Sequence, residues 1–322
     1  MRNEIEWLED ALSTKDATPA MTYYMVKNKM MLATNGRMVA GFPCDVDGEF
    51  LVPGEELTKI LKRLPNEPTF KVNGDRLTMR SGRFSGTLHL LPAEEWRFPV
   101  LEEVVWQPFP STLLPIFKDL RPFISESAVH RWSLGIAIDD GWCFGTNNFA
   151  LAGAPFPPGG GVKALIPTWV VDFILGRTEG LVQWAMSPQF MAFKWSNGAW
   201  MRSTLIDAEF PERARAMIQA APIGTQMVTP EYRHALTRIA ELSDTDSGIH
   251  IYADRVEGKT ARSVVSETMD SEIPANSPFS IWGVKYIVPV IAAANNWSPS
   301  LWPAAVPFTG ARIRGYIMGR TG

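Results

Sequence analysis

The stretch that decides the fold is LTMRSGRFSGTLHLLPAEEWRFP, residues 77–99, because a looser copy of it, WMRSTLIDAEFPE, returns at residues 200–212. Both copies begin with the apolar and polar alternation of a half-buried strand, and both end in an acidic segment bounded by proline. Because two segments of the chain end in the same sequence pattern, the chain is expected to consist of repeated units.

Segments with a helical period recur along the chain at a spacing of roughly 50 to 60 residues. Most of them follow a short apolar strand and begin at a proline or polar residue, which suits the first helical turn because its N–H groups have no helical partner. A shorter segment of the same kind opens the chain. The predicted helices start near residues 4, 54, 111, 167, 230 and 282.

Strand-like sequence lies between these helices. It alternates around Asn73-Gly74, Asp140-Gly141 and Asn197-Gly198, which are strong signals for tight hairpins. Each unit is therefore predicted to hold one helix and several antiparallel strands. Six such units, taken in pairs, predict an α+β protein of three tandem domains, with the helices on one face of the sheets. The predicted domains are residues 1–104, 105–222 and 223–322.

Composition indicates a globular protein, since 46% of the 322 residues are hydrophobic and 20% are charged. Cys44 and Cys143 are too few for a disulfide framework or a structural zinc site, which favours a reducing compartment. The N-terminal MRNEIEWLED lacks the apolar core of a signal peptide, and no apolar run is long enough to cross a membrane. We therefore expect a soluble, cytoplasmic protein without a membrane partner.

The formal net charge of −3 argues against a protein that coats nucleic acid over its whole surface, but it leaves room for a local basic face. Basic residues occupy the polar side of several predicted helices, opposite the apolar stripe. On a single helix such residues usually form only a solvated face. Their recurrence on equivalent helices predicts one common basic surface that binds the DNA backbone. The residues predicted to face DNA are Lys59, Lys62, Arg63, Lys118, Arg121, Arg177, Arg233, Arg238 and Lys285 on the helices, with His130 and Arg131 on a strand-entry loop.

No motif for catalysis is present in the sequence. His89, His130, His234 and His250 lack metal-ligand spacing, and neither cysteine lies in a nucleophile motif. The glycine-rich PPGGGVK, residues 157–163, precedes a predicted strand rather than joining a strand to a helix, so we expect a loop and not a phosphate site. We therefore expect no catalytic residue, no cofactor and no metal.

The repeated stretches at residues 77–99 and 203–212 resemble the ends of the first and second domains of the bacterial DNA polymerase sliding clamp family, the DNA polymerase III β subunit. FLVPGEELTKILKRLP, residues 50–65, resembles the second helix of that family. WGVKYIVPVIAAANN, residues 282–296, and ARIRGYIM, residues 311–318, are similar to its last helix and C-terminal strand. The resemblance covers essentially the whole chain in order and is weakest in the third domain.

This resemblance implies the DNA clamp fold, in which two three-domain chains form a head-to-tail ring whose helices line a hole for duplex DNA. The implied protein is a non-enzymatic homodimer that slides on DNA without sequence specificity. It would tether the DNA polymerase and the clamp loader, and other replication and repair proteins, through their clamp-binding peptides. The differences between this sequence and the family pattern favour a phage- or plasmid-encoded member of the family, acting in the bacterial cytoplasm or an infected host cell.

The resemblance also implies an apolar pocket for partner peptides between the second and third domains. Within TNNFAL, residues 146–151, Phe149 and Ala150 replace a polar pair of the family, so we expect an altered peptide specificity. Core packing is the alternative role for Phe149 and Trp132. The implied pocket consists of Trp132, Thr146, Phe149, Leu151, Pro211, Arg215, Ala216, Ile317 and Met318.

A different function stays open alongside the clamp. The same units could form a non-enzymatic single-stranded-DNA-binding or structural phage protein, in which some of the twelve tryptophans stack on bases. The two functions differ in a measurable way, because a clamp must be loaded onto nicked circular DNA whereas a groove binder coats single strands directly.

Overall fold

The structure is a computed structural model that describes residues 1–13, 18–101, 104–127, 130–157, 161–244, 247–273 and 280–320. The first elements along the chain are α1 (Arg2–Leu8), α2 (Pro19–Thr22), β1 (Tyr23–Lys27), β2 (Met30–Thr34), β3 (Met38–Pro43), β4 (Phe50–Pro53), α3 (Gly54–Arg63), β5 (Thr69–Asn73), β6 (Arg76–Ser81), β7 (Phe84–His89), β8 (Leu91–Pro92), β9 (Gln107–Pro108) and α4 (Leu113–Leu120).

The next elements are β10 (Gly135–Asp139), β11 (Trp142–Thr146), β12 (Ala150–Pro155), β13 (Ala164–Pro167), α5 (Thr168–Leu175), β14 (Leu181–Met186), β15 (Phe190–Trp195), β16 (Trp200–Thr204) and α6 (Glu212–Gln219). The last are β17 (Gln226–Met227), α7 (Pro230–Glu241), β18 (Ile249–Ile251), β19 (Arg255–Lys259), β20 (Val264–Thr268), β21 (Ser280–Trp282), α8 (Val284–Ala293), β22 (Ala294–Trp297), β23 (Val306–Gly310) and β24 (Arg314–Ile317).

The α+β class and the repeat are confirmed. Helices α1, α3, α4, α5, α7 and α8 each begin within two residues of the predicted position. They define six helix-plus-strand repeats, which are α1 with β1–β4, α3 with β5–β8, α4 with β10–β13, α5 with β14–β16, α7 with β18–β21, and α8 with β22–β24. The sequence did not predict α6, because this helix buries only Ile218 and so lacks an apolar stripe.

All three predicted hairpin turns are present. β5 pairs with β6 around Gly74, β10 with β11 around Asp140-Gly141, and β15 with β16 around Gly198. Asp140 (φ 48°) and Gly141 (φ 74°) both adopt the left-handed conformation that a two-residue hairpin turn requires. The glycine-rich segment 157–163 lies partly outside the described residues, since 158–160 are not among them.

The chain forms two compact units, of which the first comprises residues 1–109 and 176–205. Its larger sheet has nine strands in the order β8-β4-β1-β2-β3-β16-β15-β14-β9, and its smaller sheet has the order β5-β6-β7. The two halves of the larger sheet meet where β3 pairs antiparallel with β16, with Met201 opposite Ala40. Leu57 and Leu61 of α3 are buried in this unit.

The second unit comprises residues 110–175 and 206–322. Its larger sheet has eight strands in the order β13-β10-β11-β12-β24-β23-β22-β17, and its smaller sheet has the order β20-β19-β18-β21. The halves of the larger sheet meet where β12 pairs antiparallel with β24, with Leu151 opposite Tyr316. Both units thus contain a sheet that joins strands from two of the predicted domains, and the three-domain division itself stays a prediction.

Close approach of backbones at the junction of β12 and β24 explains Gly315. A Cβ atom at this position would lie 1.9 Å from the carbonyl oxygen of Leu151, which belongs to the rigid backbone of the neighbouring strand. Only glycine therefore allows the two strands to keep their pairing distance.

We predict that Gly315→Ala lowers the free energy of unfolding by about 2 to 3 kcal/mol, because the added methyl group forces β12 and β24 apart. Urea denaturation followed by circular dichroism measures this loss. Thr178→Ala, at an exposed position between α5 and β14, is the control and should change stability by less than about 0.5 kcal/mol. Equal stability of Gly315→Ala and the unmodified protein would contradict the close approach of these strands.

Candidate DNA-facing residues and partner pocket

Two predicted DNA-facing lysines of α3 are held by carboxylates. Lys59 pairs with Glu55, one helical turn earlier, and Lys62 pairs with Glu9 at 2.5 Å. Arg63 is exposed and has no ion-pair partner among the described residues. These lysine pairs are exposed and therefore weak, so a phosphate group could compete for both lysines.

Arg177 is part of the interior of the first unit. Its guanidinium donates to Asp10 Oδ2 at 2.8 Å and to the Trp7 carbonyl oxygen at 2.9 Å, and it lies 5.5 Å from the centre of the Trp7 ring. Only 11% of the side chain is exposed. A contact between Arg177 and DNA would require breaking these interactions, which is costly because it would leave a buried guanidinium without compensation.

In the second unit, Arg121 and Arg233 also have defined partners. The Arg121 guanidinium donates to both carboxylate oxygens of Asp172, and this hydrogen bonding raises the pKa of Arg121 above its usual value. Arg233 donates to the carbonyl oxygens of Ile291 at 2.9 Å and Ala294 at 2.8 Å. Because the last carbonyl groups of a helix have no helical donor, Arg233 caps the end of α8.

The remaining predicted DNA-facing residues of this unit are exposed. Arg238 donates to the Glu267 carboxylate at 3.2 Å, and the His130 ring stacks on Trp132 with their centres 5.1 Å apart. Lys118, Arg131 and Lys285 have no ion-pair partner within the described part of the chain. Together with Arg63, these three are the predicted DNA-facing residues that could bind a phosphate without losing an existing partner.

The pairing of β12 with β24 brings together much of the predicted partner pocket. Ala150 lies opposite Ile317, and the Met318 N–H donates to the Phe149 carbonyl oxygen at 2.7 Å. Thr146 is buried, and its hydroxyl donates to the Ala150 carbonyl oxygen at 2.9 Å, which fixes the turn before β12. Thr146, Phe149, Leu151, Ile317 and Met318 therefore share one end of this sheet.

The side chain of Phe149 lies flat against the ring of Tyr286 in the first turn of α8. The ring centres are 4.1 Å apart and the planes are inclined by 19°. Phe149 is 43% exposed and Met318 is 46% exposed, so both present apolar surface to solvent. Core packing is thus not the whole role of Phe149. Tyr286 could not be predicted from the sequence, because only the long-range position of α8 places it beside residues 146–151.

Trp132 and the α6 residues occupy the neighbouring part of this unit. Trp132 and Leu151 pack on a cluster that includes Phe144 and Phe210. Arg215 forms an ion pair with Asp139, while its Nε atom is buried without a hydrogen-bond partner in the described part of the structure. Asp139, Glu212, Arg215 and Ala216 line a recess of about 200 Å³, which is polar rather than apolar.

Pro211 lies at the N-terminal end of α6, next to the residues that line this recess. The structure therefore places all nine predicted pocket residues in the second unit, but it separates the polar recess of Arg215 and Ala216 from the exposed apolar side chains of Phe149 and Met318. Their shared role in binding partners stays a prediction.

Among the described residues, no group of three potential ligands could hold a metal ion. No helix in the described part of the chain is long and apolar enough to span a membrane.

Solved structures of bacterial sliding clamps match this fold over its whole length. The sliding clamp of Bartonella birtlesii, bound to griselimycin, has a TM-score of 0.81 at 16% identity and covers 100% of this chain and 97% of its own. The Caulobacter crescentus β sliding clamp has a TM-score of 0.78 at 18% identity with the same coverage. The Helicobacter pylori β clamp, bound to a DNA ligase peptide, has a TM-score of 0.77 at 13% identity and covers 99% of this chain and 97% of its own.

No protein-family model matches the sequence, and no curated protein sequence matches it either. The chain therefore has the fold of the bacterial DNA polymerase III β sliding clamp, at a sequence identity so low that the fold alone is shown.

Proposed function

We propose that this chain is a DNA sliding clamp: a non-enzymatic homodimeric ring that encircles duplex DNA and tethers a DNA polymerase and its partners. The observation that supports this most directly is the pairing of third strands between repeats. The third strand of the first repeat, β3, pairs with the third strand of the fourth, β16. The third strand of the third repeat, β12, pairs with that of the sixth, β24.

The same rule predicts how a second copy joins. In both pairs an odd-numbered repeat joins the repeat three places further on. Within one chain the fifth repeat has no repeat three places further on and the second has none three places before it, so the described strands β20 and β7 lack such partners. Two chains arranged head to tail would pair β20 of one copy with β7 of the next. Both strands are open edges of five and six residues without proline, and exposed edges of this kind favour pairing with another chain.

The outer edges of the two large sheets differ from β7 and β20. They are β8, β9, β13 and β17, of which β8, β9 and β17 have only two residues each, while β13 ends in proline. Short strands and proline discourage further pairing. This contrast supports closure through β7 and β20 in preference to the outer edges of the two large sheets.

A closed ring would hold DNA by topology and would need only weak phosphate contacts. The first candidates for these contacts are the basic residues that have no ion-pair partner among the described residues, which are Arg63, Lys118, Arg131 and Lys285. The apolar side chains of Phe149, Tyr286 and Met318 would receive the clamp-binding peptides of the polymerase and the clamp loader. We further propose that the protein is a phage- or plasmid-encoded clamp acting in the bacterial cytoplasm or an infected cell.

We predict that the protein in solution has twice the mass of the 35.8 kDa chain, and that Val264→Asp makes it a monomer. Val264 lies on β20 and is 61% exposed, so the new carboxylate would lose water at the proposed interface, which is costly for a charged group. Light scattering coupled to size-exclusion chromatography measures the mass. Val105→Asp, which changes an 84% exposed valine on neither strand, is the control and should stay dimeric. A monomeric unmodified protein at micromolar concentration would contradict the proposed ring.

Neutralising Arg63 and Lys118 together is expected to weaken retention on nicked circular DNA after loading by a bacterial clamp loader. The slope of log K against log salt is negative, and each lost phosphate contact reduces its magnitude by about 0.9, so the loss of two contacts should reduce the magnitude by about two. Arg97→Gln with Arg213→Gln, at two other exposed arginines, is the charge-matched control. Unchanged retention in the Arg63→Gln and Lys118→Gln protein would contradict the inner-face assignment. Direct coating of single-stranded DNA without a loader would instead support the groove-binding function.

Met318→Asp should weaken binding of the DNA ligase peptide seen on the Helicobacter pylori clamp by about tenfold or more, because a carboxylate replaces exposed apolar surface beside Phe149. Fluorescence anisotropy of the labelled peptide measures the affinity. Met227→Asp, at a 67% exposed methionine on β17, is the matched control. Equal affinities of the Met318→Asp and Met227→Asp proteins would contradict the assignment of Met318 to the partner pocket.

A further inference from the structure

The turn between β2 and β3 has nearly the same sequence and the same hydrogen bonds as the turn between β11 and β12. The two segments are TNGRMVAG, residues 34–41, and TNNFALAG, residues 146–153. In each, the threonine hydroxyl donates to the carbonyl oxygen four residues later, at 2.7 Å in the first turn and 2.9 Å in the second. The side-chain oxygen of the following asparagine accepts from two backbone N–H groups at 2.8 to 3.1 Å. Arg37 in the first turn therefore occupies the position of Phe149 in the second.

The strands beside these turns also correspond. β3 pairs with β16 in the first unit, with Val39 opposite Arg202, and β12 pairs with β24 in the second unit, with Leu151 opposite Tyr316. The junction of β3 with β16 is thus the structural counterpart of the junction that carries the exposed Phe149 surface. The equivalent pairs are Arg37 and Phe149, Arg202 and Tyr316, and Thr204 and Met318.

A cavity of about 80 Å³ lies at the β3 and β16 junction. The apolar part of its lining includes Met38 and Val39, which are buried, and Phe98, which is half-buried. Phe98 stands near the end of the first copy of the repeated stretch as Phe210 does in the second, and Phe210 belongs to the cluster on which Leu151 packs. Since a cavity of roughly 150 Å³ admits benzene, this smaller one has room for a single aliphatic side chain.

The polar part of the lining distinguishes this cavity from its counterpart. It consists largely of Arg37, Arg202 and Thr204, where the second unit has two aromatic rings and a methionine. The Arg202 guanidinium lies 4.1 Å from the centre of the Phe190 ring and donates to the Val100 carbonyl oxygen at 3.3 Å, and these contacts fix its position. Arg37 is exposed, and a guanidinium has five N–H groups, so it can bind a ligand while it keeps its contacts within the chain. The described lining contains these two cations and no carboxylate, which favours an anionic ligand.

We propose that this cavity is a docking site for an acidic peptide segment of another protein. An aliphatic side chain of the peptide fills the cavity, and carboxylates on either side of it pair with Arg37 and Arg202. A nucleic acid matches the charge but has no aliphatic side chain to bury against Val39 and Phe98, so the lining favours a peptide. The site is separate from β7, β20 and the Phe149 surface, and its occupation does not depend on the clamp function.

The test uses the full chain and an acetylated, amidated peptide, Glu-Glu-Leu-Glu-Glu, labelled for fluorescence anisotropy. A peptide with alanine in place of leucine should bind about fivefold more weakly or less, because it leaves most of the cavity empty. A peptide with lysine in place of every glutamate should not bind, because its charges repel the two arginines. Single-stranded DNA of five nucleotides should not displace the Glu-Glu-Leu-Glu-Glu peptide.

Hydrogen exchange locates the bound peptide on the chain. Binding should slow exchange at residues 34–39, which line the cavity. Residues 146–151 provide an internal control, because their turn has the same hydrogen bonds and lacks the arginine. Their exchange should not change.

Arg37→Gln is expected to weaken binding of the Glu-Glu-Leu-Glu-Glu peptide about threefold to fivefold, since one exposed ion pair is lost. Arg37→Lys keeps the charge and should recover part of this loss. Arg213→Gln, at an exposed arginine of the second unit, is the matched control and should bind as the unmodified protein does.

Several results would overturn the docking site. They are absence of binding at millimolar peptide, equal binding of the alanine or lysine peptide, displacement by DNA, equal affinities of Arg37→Gln and Arg213→Gln, and protection of residues 146–151 in place of 34–39. None of these measurements requires a dimer or loading onto DNA, so they are distinct from the tests of the clamp function.

Discussion

Hydrogen bonding at the edges of the sheets is the constraint on which the rest of this structure depends. An unpaired strand edge exposes a row of N–H and C=O groups. A fold can pair these groups, keep the edge strand short, or leave the groups for another chain to pair. The chain pairs β3 with β16 and β12 with β24, so each large sheet continues across two repeats. The outer strands of these sheets have only two residues or, in the case of β13, end in proline. Among the described strands the longer open edges are β5, β7 and β20, and these edges expose backbone N–H and C=O groups.

The arginines show why a count of basic residues overstates a DNA-binding surface. Carbonyl groups at the end of a helix have no helical donor, and a guanidinium with five N–H groups satisfies several of them at once. Arg2 does so at the end of α3 by donating to the Leu61 carbonyl oxygen at 2.7 Å, and Arg233 does so at the end of α8. Arg177 is held in the interior by Trp7 and Asp10. These residues carry positive charge, but their hydrogen bonds are already used within the fold.

The sequence predicted local features well and long-range ones poorly. Asp140, Gly141 and Gly198 specify their turns because they adopt positive φ, and the spacing of Leu57 and Leu61 indicates a helix. The partner of β3 lies some 160 residues away, and nothing in either strand specifies the other. The stack of Phe149 on Tyr286 is equally distant in sequence. Helix α6 was missed for a different reason, because it packs through one buried side chain and has no stripe to detect.

The distinction between local and long-range features also explains how the fold persists at 13 to 18% identity with solved clamps. Strand pairing requires alternation, turn residues and glycine where backbones meet closely, as at Gly315 beside Leu151, and many sequences meet these requirements. Phe149 and Met318 are not restricted in this way, because they are half exposed and the backbone around them is held by Thr146 and by the pairing of β12 with β24. Substitution at such positions changes the proposed partner surface while the strand pairing beneath it stays intact. Partner specificity is therefore the property that this fold can change at the least cost in stability.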